Sequence, residues 1–168
     1  MGDMAKGMTR EREVQCKSLA GGQLTQALLS LWAAERLCAK CAANEDGLSA
    51  LIRDAIVLYG GAFTRSDVDN RHSHKLSQES YIPKHFEGLH RRLVAYRDKL
   101  FAHLDSDSRN HKRAVDENGL SWHRNAKAAL DFEDEIPNIK ALILEIVSQK
   151  LWPEILDEHQ ELLDKPGL

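Results

Sequence analysis

The stretch that decides the fold of this chain is FEGLHRRLVAYRDKLFAHLD, residues 86–105. At about 100° per residue, its apolar residues fall within a helical stripe roughly 60° wide. The stripe consists of Phe86, Leu89, Leu93, Leu100 and Leu104. Arg97 lies only about 20° outside that stripe, and His103 lies about 120° round from Arg97. Because a guanidinium turned toward a core is costly unless it is paired or used, Arg97 is the first candidate functional residue.

Composition and length predict one globular domain. The chain has 168 residues, of which 42% are hydrophobic and 29% charged, and this suits a soluble domain with a real core. Residues 1–12 are polar and are expected to form a flexible N-terminus, which leaves 13–168 as the domain. We find neither a secretory signal core nor an apolar run long enough to cross a membrane. Three cysteines cannot all pair within one chain, so a reducing cytoplasm is the expected location.

Charge is distributed unevenly along the chain. The net charge is −3, yet residues 84–113 contain eight Lys or Arg against four Asp or Glu, a local excess of +4. An excess of this kind is typical of a phosphate-binding surface, although a solvated helix face also produces it. We therefore expect Arg91 and Arg92, with His90 beside them, to contact the nucleic-acid backbone, the alternatives being a solvated face for the arginines and a buried packing position for the histidine.

Periodicity and breakers divide the rest of the chain into helices. Apolar residues recur at helical spacing in four further segments, namely 23–43, 48–63, 132–150 and 154–163. Pro83 suits the first turn of the helix that carries the stretch quoted above. Asn118-Gly119 favours a short hairpin within 111–124. The sequence therefore predicts an all-α fold, a bundle of four to five helices with one short hairpin.

Glu35 repeats the anomaly of Arg97. It falls about 20° from the centre of the apolar stripe of the first long helix, where a lone carboxylate would be costly. We therefore expect Glu35 to contact Arg97 across two helices. Such a pair either fixes helix register alone, or also orients the guanidinium toward a phosphate.

Two further groups resemble metal sites by residue type. Cys38 and Cys41 have CxxC spacing, but without a second cysteine or histidine pair Cys38 is better explained as a small buried hydrophobe. His72 and His74 follow two aspartates in a polar loop, which favours at most adventitious metal binding. We expect no metal site and no cofactor.

The motif around Arg97 resembles a known family. The string Tyr96-Arg97-Asp98-Lys99, followed by Ala102-His103-Leu104-Asp105, resembles the HEPN superfamily of nucleotide-binding all-helical domains. The signature of that superfamily is an arginine, often followed by Asn, Asp or His, and then a histidine after four to six residues. The wider string is similar to small bacterial members linked to abortive infection, phage defence and toxin–antitoxin systems.

The resemblance implies a HEPN-type bundle acting as a homodimer, in which two motifs share one cleft. It implies a metal-independent endoribonuclease with an RNA substrate and, for a toxin, an antitoxin protein as partner. Arg97, His103 and Asp98 would be the catalytic residues, supported by Glu35, Lys99 and Tyr96. Other members bind without cleaving, so the alternative is a non-catalytic module that binds nucleotide, RNA or protein. His103 also has a simpler explanation as a histidine interacting with a helix C-terminus.

Overall fold

A computed structural model describes the backbone of residues 2–39, 45–63, 76–110, 115–116, 119–120 and 129–163. Side chains are described for 13–39, 45–63, 76–100 and 129–158. The helices are α1 (Gly2–Ala39), α2 (Glu45–Phe63), α3 (Gln78–Tyr81), α4 (Glu87–Asn110), α5 (Ile136–Glu145) and α6 (Trp152–Leu163). Shorter elements are two 3-10 turns (Lys84–Phe86 and Glu133–Glu135), a π-helical segment (Ile146–Leu151) and the strands β1 (Val115–Asp116) and β2 (Gly119–Leu120).

The predicted all-α helical bundle is confirmed. Helix α1 packs against α2 on one side and against α5, the π segment and α6 on the other, while α4 packs onto α2. The apolar stripes of these helices meet in one core. Its largest fully buried side chains come from α1, α2, α4, α5 and the π segment: Leu24, Leu31, Ile52, Ile56, Tyr59, Phe63, Leu93, Ile139, Leu142, Ile143, Ile146 and Leu151.

Polar contacts fix the register of α1 against its two neighbours. Ser30 Oγ donates a hydrogen bond to Asp54 Oδ2 of α2 at 2.6 Å. On the other side, Lys140 Nζ of α5 lies 2.6 Å from Glu35 Oε2, and an ion pair also joins Lys17 to α6. With the contact of Gln23 with Gly61, these pairs set both neighbours antiparallel to α1. The continuous helical run 136–163, which we call the α5–α6 rod, follows α1 from Lys17 to Glu35.

The predicted start of the first helix is wrong. Helix α1 begins at Gly2 rather than near residue 23, so Gly21-Gly22 lie inside the helix. At Gly21 an added Cβ would lie 3.4 Å from Leu151 Cδ2. This glycine therefore lets the π segment pack close to α1 without ending the helix.

The chain stays helical through Pro153, which lies in the first turn of α6. The six residues before Trp152 adopt π-helical turns, and the Trp152 N–H bonds to the carbonyl of Val147. A proline inside an α-helix lacks a donor and clashes with the carbonyl four residues earlier. The wider π turn is the local adjustment that accompanies this proline.

The predicted hairpin agrees with the described pairing of β1 and β2. The strands are antiparallel, with Val115 opposite Leu120 and Asp116 opposite Gly119. Asn118 lies between them, outside the described residues, as does the remainder of the predicted 111–124 segment.

Burial within α1 predicts a large difference between two leucines of the same helix. Leu31 is fully buried, whereas Leu19 is 71% exposed. We expect Leu31→Ala to lower the free energy of unfolding by about 2–5 kcal/mol because it removes buried apolar surface and leaves a cavity. Leu19→Ala is the matched control, with an expected change within about 0.5 kcal/mol. Urea unfolding followed by circular dichroism measures both, and equal losses would contradict the assigned core face.

Candidate functional site on the fourth helix

Arg97 lies where α4 crosses α2 at closest approach. A Cβ added at Gly60 of α2 would lie 2.7 Å from Arg97 Cδ and 3.3 Å from Arg97 Cβ. The stem of the arginine therefore rests directly on the backbone of α2, and only glycine leaves room for it. The Arg97 side chain is 21% exposed, so its position combines a buried stem with a partly exposed head.

Asp98, the next residue along α4, holds the head of Arg97. Nη1 of Arg97 lies 3.1 Å from Oδ1 of Asp98, and the Asp98 side chain is largely exposed. Adjacent residues of a helix point about 100° apart, so this pair bridges the edge of the helix rather than its buried face. The structure thus brings together two of the three residues expected to be catalytic.

The predicted contact between Glu35 and Arg97 is wrong. Glu35 instead pairs with Lys140 of α5. The Ser30–Asp54 bond and the contact of Gln23 with Gly61 set α1 and α2 antiparallel, so that Glu35 is level with residue 49 of α2. Gly60 lies eleven residues further along α2, a separation of about 16 Å. Arg97 rests at Gly60, beyond the reach of Glu35.

His90 was predicted to contact nucleic acid, and its burial makes this wrong. It is 3% exposed and sits against α2, where its Nδ1 lies 2.7 Å from the hydroxyl of Tyr59. The ring of Phe63 meets it edge-on at 5.0 Å between centroids. Nε2 of His90 is buried and makes no hydrogen bond to any side chain or backbone atom described. Burial lowers the pKa of His90 because this setting disfavours the imidazolium.

The two arginines predicted to bind phosphate have different surroundings. Arg91 is exposed and its Nε donates to the carbonyl of Glu87 at 3.4 Å. Arg92 is bound by Glu135, the last residue of the 3-10 turn before α5, at 2.5 Å. Hydrogen bonds from Asn138 and then from Arg92 lower the pKa of Glu135. Arg91 is therefore the better placed of the two for an external anion, and Arg92 fastens α4 to the start of α5.

The two remaining flanking residues, Tyr96 and Lys99, lie one turn apart on α4 and about 60° apart round the helix. Lys99 is exposed, as expected for a cation that could meet a polyanion. Tyr96 is half-buried and packs edge-on against Phe132, with ring centroids 5.3 Å apart. Burial raises the pKa of Tyr96, while the nearby charge of Arg53 on α2 acts in the opposite direction. Tyr96 thus anchors the helix rather than facing outward.

His103 is placed only by its backbone, which belongs to α4. Its side chain lies outside the described residues, as do Cys41, His72 and His74. Cys38 was predicted to be buried and is exposed, with Sγ 3.7 Å from Glu133 Oε1. Within the described part of the chain, no three His, Cys, Asp or Glu side chains cluster in a way that could hold a metal ion. Across those same residues, the helices lack the combination of length and apolar character that crossing a bilayer would need.

Three residues that shape this site were missed in the sequence. Gly60 lies within α2 and receives Arg97, and nothing in its own segment signals that contact. Lys140 and Glu135 could not be recognised as the partners of Glu35 and Arg92, because the sequence of one helix does not show which residue of another helix lies opposite. For His90, by contrast, the sequence did contain a signal. On the helical wheel His90 lies about 20° from Arg97, near the edge of the apolar stripe, and this position indicates that it faces inward.

Comparison with known proteins gives no relative: no protein-family profile, no curated protein and no solved structure matches this chain. The site therefore has to be interpreted from its own residues.

The buried His90 predicts a loss of stability in mild acid. Its pKa is ordinary, near 6.5, in the unfolded chain and lower in the folded state. The unfolded chain therefore binds more protons as the pH falls below 6.5, and the free energy of unfolding decreases there. His90→Phe should remove this part of the pH dependence, as measured by urea unfolding between pH 7.5 and 5. His85→Gln, which changes an exposed histidine nearby, should leave it; an unchanged profile in His90→Phe would contradict this assignment.

The contact at Gly60 predicts that a single methyl group there disturbs Arg97. We expect Gly60→Ala to lower the free energy of unfolding by about 1–2 kcal/mol, because overpacking outweighs the helix propensity that alanine adds. Gly22→Ala is the matched control: nothing lies within 4 Å of a Cβ at Gly22, so only a gain of about 0.5–1 kcal/mol remains. Thermal and urea unfolding at low protein concentration measure both, and a gain in Gly60→Ala would contradict the close approach of α4.

Proposed function

We propose that this protein is a metal-independent endoribonuclease of the HEPN type, a toxin or phage-defence effector acting on RNA as a homodimer. The observation that carries the proposal is the setting of Arg97, whose stem is fixed on Gly60 and whose head lies beside Asp98 at the surface. A cation held in one place before substrate arrives is what stabilisation of a phosphorane requires.

The Arg97–Asp98 pair is compatible with phosphate binding. Asp98 is 58% exposed, and exposed ion pairs contribute only about 0–1 kcal/mol. An RNA phosphate carries full charge and offers a guanidinium two oxygens, so it competes well for Arg97. Arg91 and Lys99, both exposed on the same helix, add positive charge along a polyanion.

The proposed chemistry uses His103 as the base. A neutral imidazole takes the proton of a ribose 2′-hydroxyl, and the 2′-oxygen attacks the adjacent phosphorus. The bond from phosphorus to the 5′-oxygen breaks, that oxygen takes up a proton, and the products are a 2′,3′-cyclic phosphate and a 5′-hydroxyl. Arg97 stabilises the charge on phosphorus oxygens, while Asp98 orients the guanidinium. A second copy completes the cleft, because positions 97 and 103 of one helix lie about 120° apart.

A non-catalytic binding module is the second candidate, and one observation favours it. Glu35, expected to orient Arg97, is occupied by Lys140 on another part of the bundle. A guanidinium held by an exposed neighbour and a helix backbone is sufficient to bind a nucleotide or an RNA phosphate. In this alternative, an antitoxin or other protein partner regulates binding rather than cleavage.

The deciding experiment is cleavage of single-stranded RNA in the presence of EDTA. We expect the wild-type protein to produce 2′,3′-cyclic phosphate ends, and His103→Ala and Arg97→Ala to lower the rate at least about 100-fold, as for loss of a general base or a charge-stabilising donor. His85→Ala is the matched control, because it removes an exposed histidine outside the motif and should keep the wild-type rate.

Three results would decide between the candidates. RNA bound but left intact by wild type supports the binding module and excludes catalysis. Cleavage that survives in His103→Ala excludes the proposed base. Circular dichroism of each variant separates loss of activity from loss of fold.

A further inference from the structure

Five large apolar side chains are exposed on the side of the bundle formed by α1 and the α5–α6 rod. Between 40% and 65% of each is accessible to solvent. They are Leu29 and Trp32 of α1 with Leu144, Trp152 and Leu156 of the rod. Scattered single leucines are ordinary on a protein surface, but two tryptophans and three leucines on two adjacent helices are not.

These side chains follow one line along the two helices, which we call the apolar strip. Lys17 pairs with Glu158, and Glu35 pairs with Lys140, so α1 and the rod are in antiparallel register. That register sets Trp32 level with Leu144, and Trp152 lies beside α1, with Cζ2 3.9 Å from a Cβ at Gly21. On α1 the strip continues through Ser18, Gly22 and Thr25, and on the rod it continues through Ser148.

No charged residue interrupts the strip. Its members on both helices are apolar, glycine or hydroxyl residues, so covering it would desolvate no carboxylate, ammonium or guanidinium. From Ser18 to Trp32, α1 extends about 21 Å, and two neighbouring helices are about 20 Å wide. The flat footprint is on the order of 400 Å² on one protomer, or about 800 Å² over two, which is the size of a weak, transient interface.

Side-chain size along α1 makes the strip complementary to itself. Gly22 and Thr25 are small, Leu29 and Trp32 are large, and position 27 lies midway between the members of each pair. A two-fold axis in the plane of contact, perpendicular to α1 at position 27, sets Trp32 of one copy level with Gly22 of the other. It likewise sets Leu29 level with Thr25, and Leu144 level with Trp152 near the axis at Ser148. Gly22 has nothing within 4 Å of an added Cβ, so the space that Trp32 would fill is open in one protomer.

We propose that a second copy of this chain packs antiparallel on the apolar strip, with Trp32 of each copy seated over Gly22 of the other. An isologous contact of this kind closes on itself and covers the exposed tryptophans. Its area lies at the lower end for specific interfaces, so the dimer is expected to dissociate on dilution.

This interface differs from the one expected for the proposed ribonuclease. The strip belongs to α1 and the α5–α6 rod, whereas Arg97 and Asp98 lie on α4. If two α4 motifs also meet and the two axes cross at a right angle, the two contacts together close into a tetramer with dihedral symmetry; with the strip alone, the protein is a dimer. The proposed dimer does not depend on RNA cleavage, and it is tested by the molecular mass of the protein in solution.

Gly22→Gln is the sharpest test because it separates folding from assembly. Glutamine at Gly22 meets open space in one protomer and favours the helix, so the variant should fold at least as stably as wild type. The same side chain occupies the space that Trp32 of the second copy would fill, so the variant should have half the wild-type mass. Light scattering across about 1–200 µM measures this mass over the range in which a weak dimer dissociates. Gly88→Gln on α4 is the matched control, since nothing lies within 4 Å of a Cβ there either.

We expect wild type and Gly88→Gln to share one mass at high concentration, and Gly22→Gln and Trp32→Ser to show half of it. A wild-type protein that is monomeric at the highest concentration overturns the proposal. So does a Gly22→Gln protein that keeps the wild-type mass, which would locate any second copy elsewhere, including the α4 face. RNA cleavage measured separately decides the proposed function, so the failure of one is distinguishable from the failure of the other.

Discussion

The structure depends most on the close approach of α4 to α2 at Gly60. Without a side chain at that position, the backbone of α2 lies directly against the stem of Arg97. One residue before Gly60, Tyr59 reaches His90 of α4 with a 2.7 Å hydrogen bond, and Leu93 between the two contacts is fully buried. The helix that carries the candidate motif is therefore held by steric fit and one buried hydrogen bond, and the direction in which Arg97 leaves the bundle follows from both.

Polar contacts at the edges of the core specify which helices are neighbours. Ser30 with Asp54, Glu35 with Lys140, and Arg92 with Glu135 each join two elements that are distant in sequence. Partly exposed pairs of this kind contribute about 0–1 kcal/mol each, so burial of apolar surface supplies most of the stability. Their effect is on register, because a shift of one helical turn would leave each charge beside the wrong neighbour.

The sequence determined the helices well and their neighbours poorly. Apolar periodicity predicted the all-α bundle, since spacing along one helix is a local property. The partner of Glu35 could not be predicted in the same way, because the angle on a helical wheel gives the face of a residue but not the helix opposite it. Gly60 illustrates the same limit: glycine suggests a helix end, and only the position of α4 shows that it is a point of contact. His90 had two interpretations, contact with nucleic acid or a buried packing position, and the structure agrees with the second. Its angle, close to that of Arg97 at the edge of the apolar stripe, already favoured burial.

Two surfaces of the bundle differ in how they use charge. On α4, the exposed Asp98 holds Arg97 in a weak pair that a phosphate can replace, while Arg91 and Lys99 are exposed at other angles round the helix and add positive charge. Between α1 and the α5–α6 rod, Glu35 pairs with Lys140 and Lys17 pairs with Glu158, and the apolar strip itself contains no charged residue. The pairing that fixes register is therefore also what keeps the strip apolar. Contact of the strip with another apolar surface costs little free energy of desolvation, because its neighbouring charges are already paired between the helices. The α4 surface, in contrast, gains favourable electrostatic interaction when it binds a phosphate.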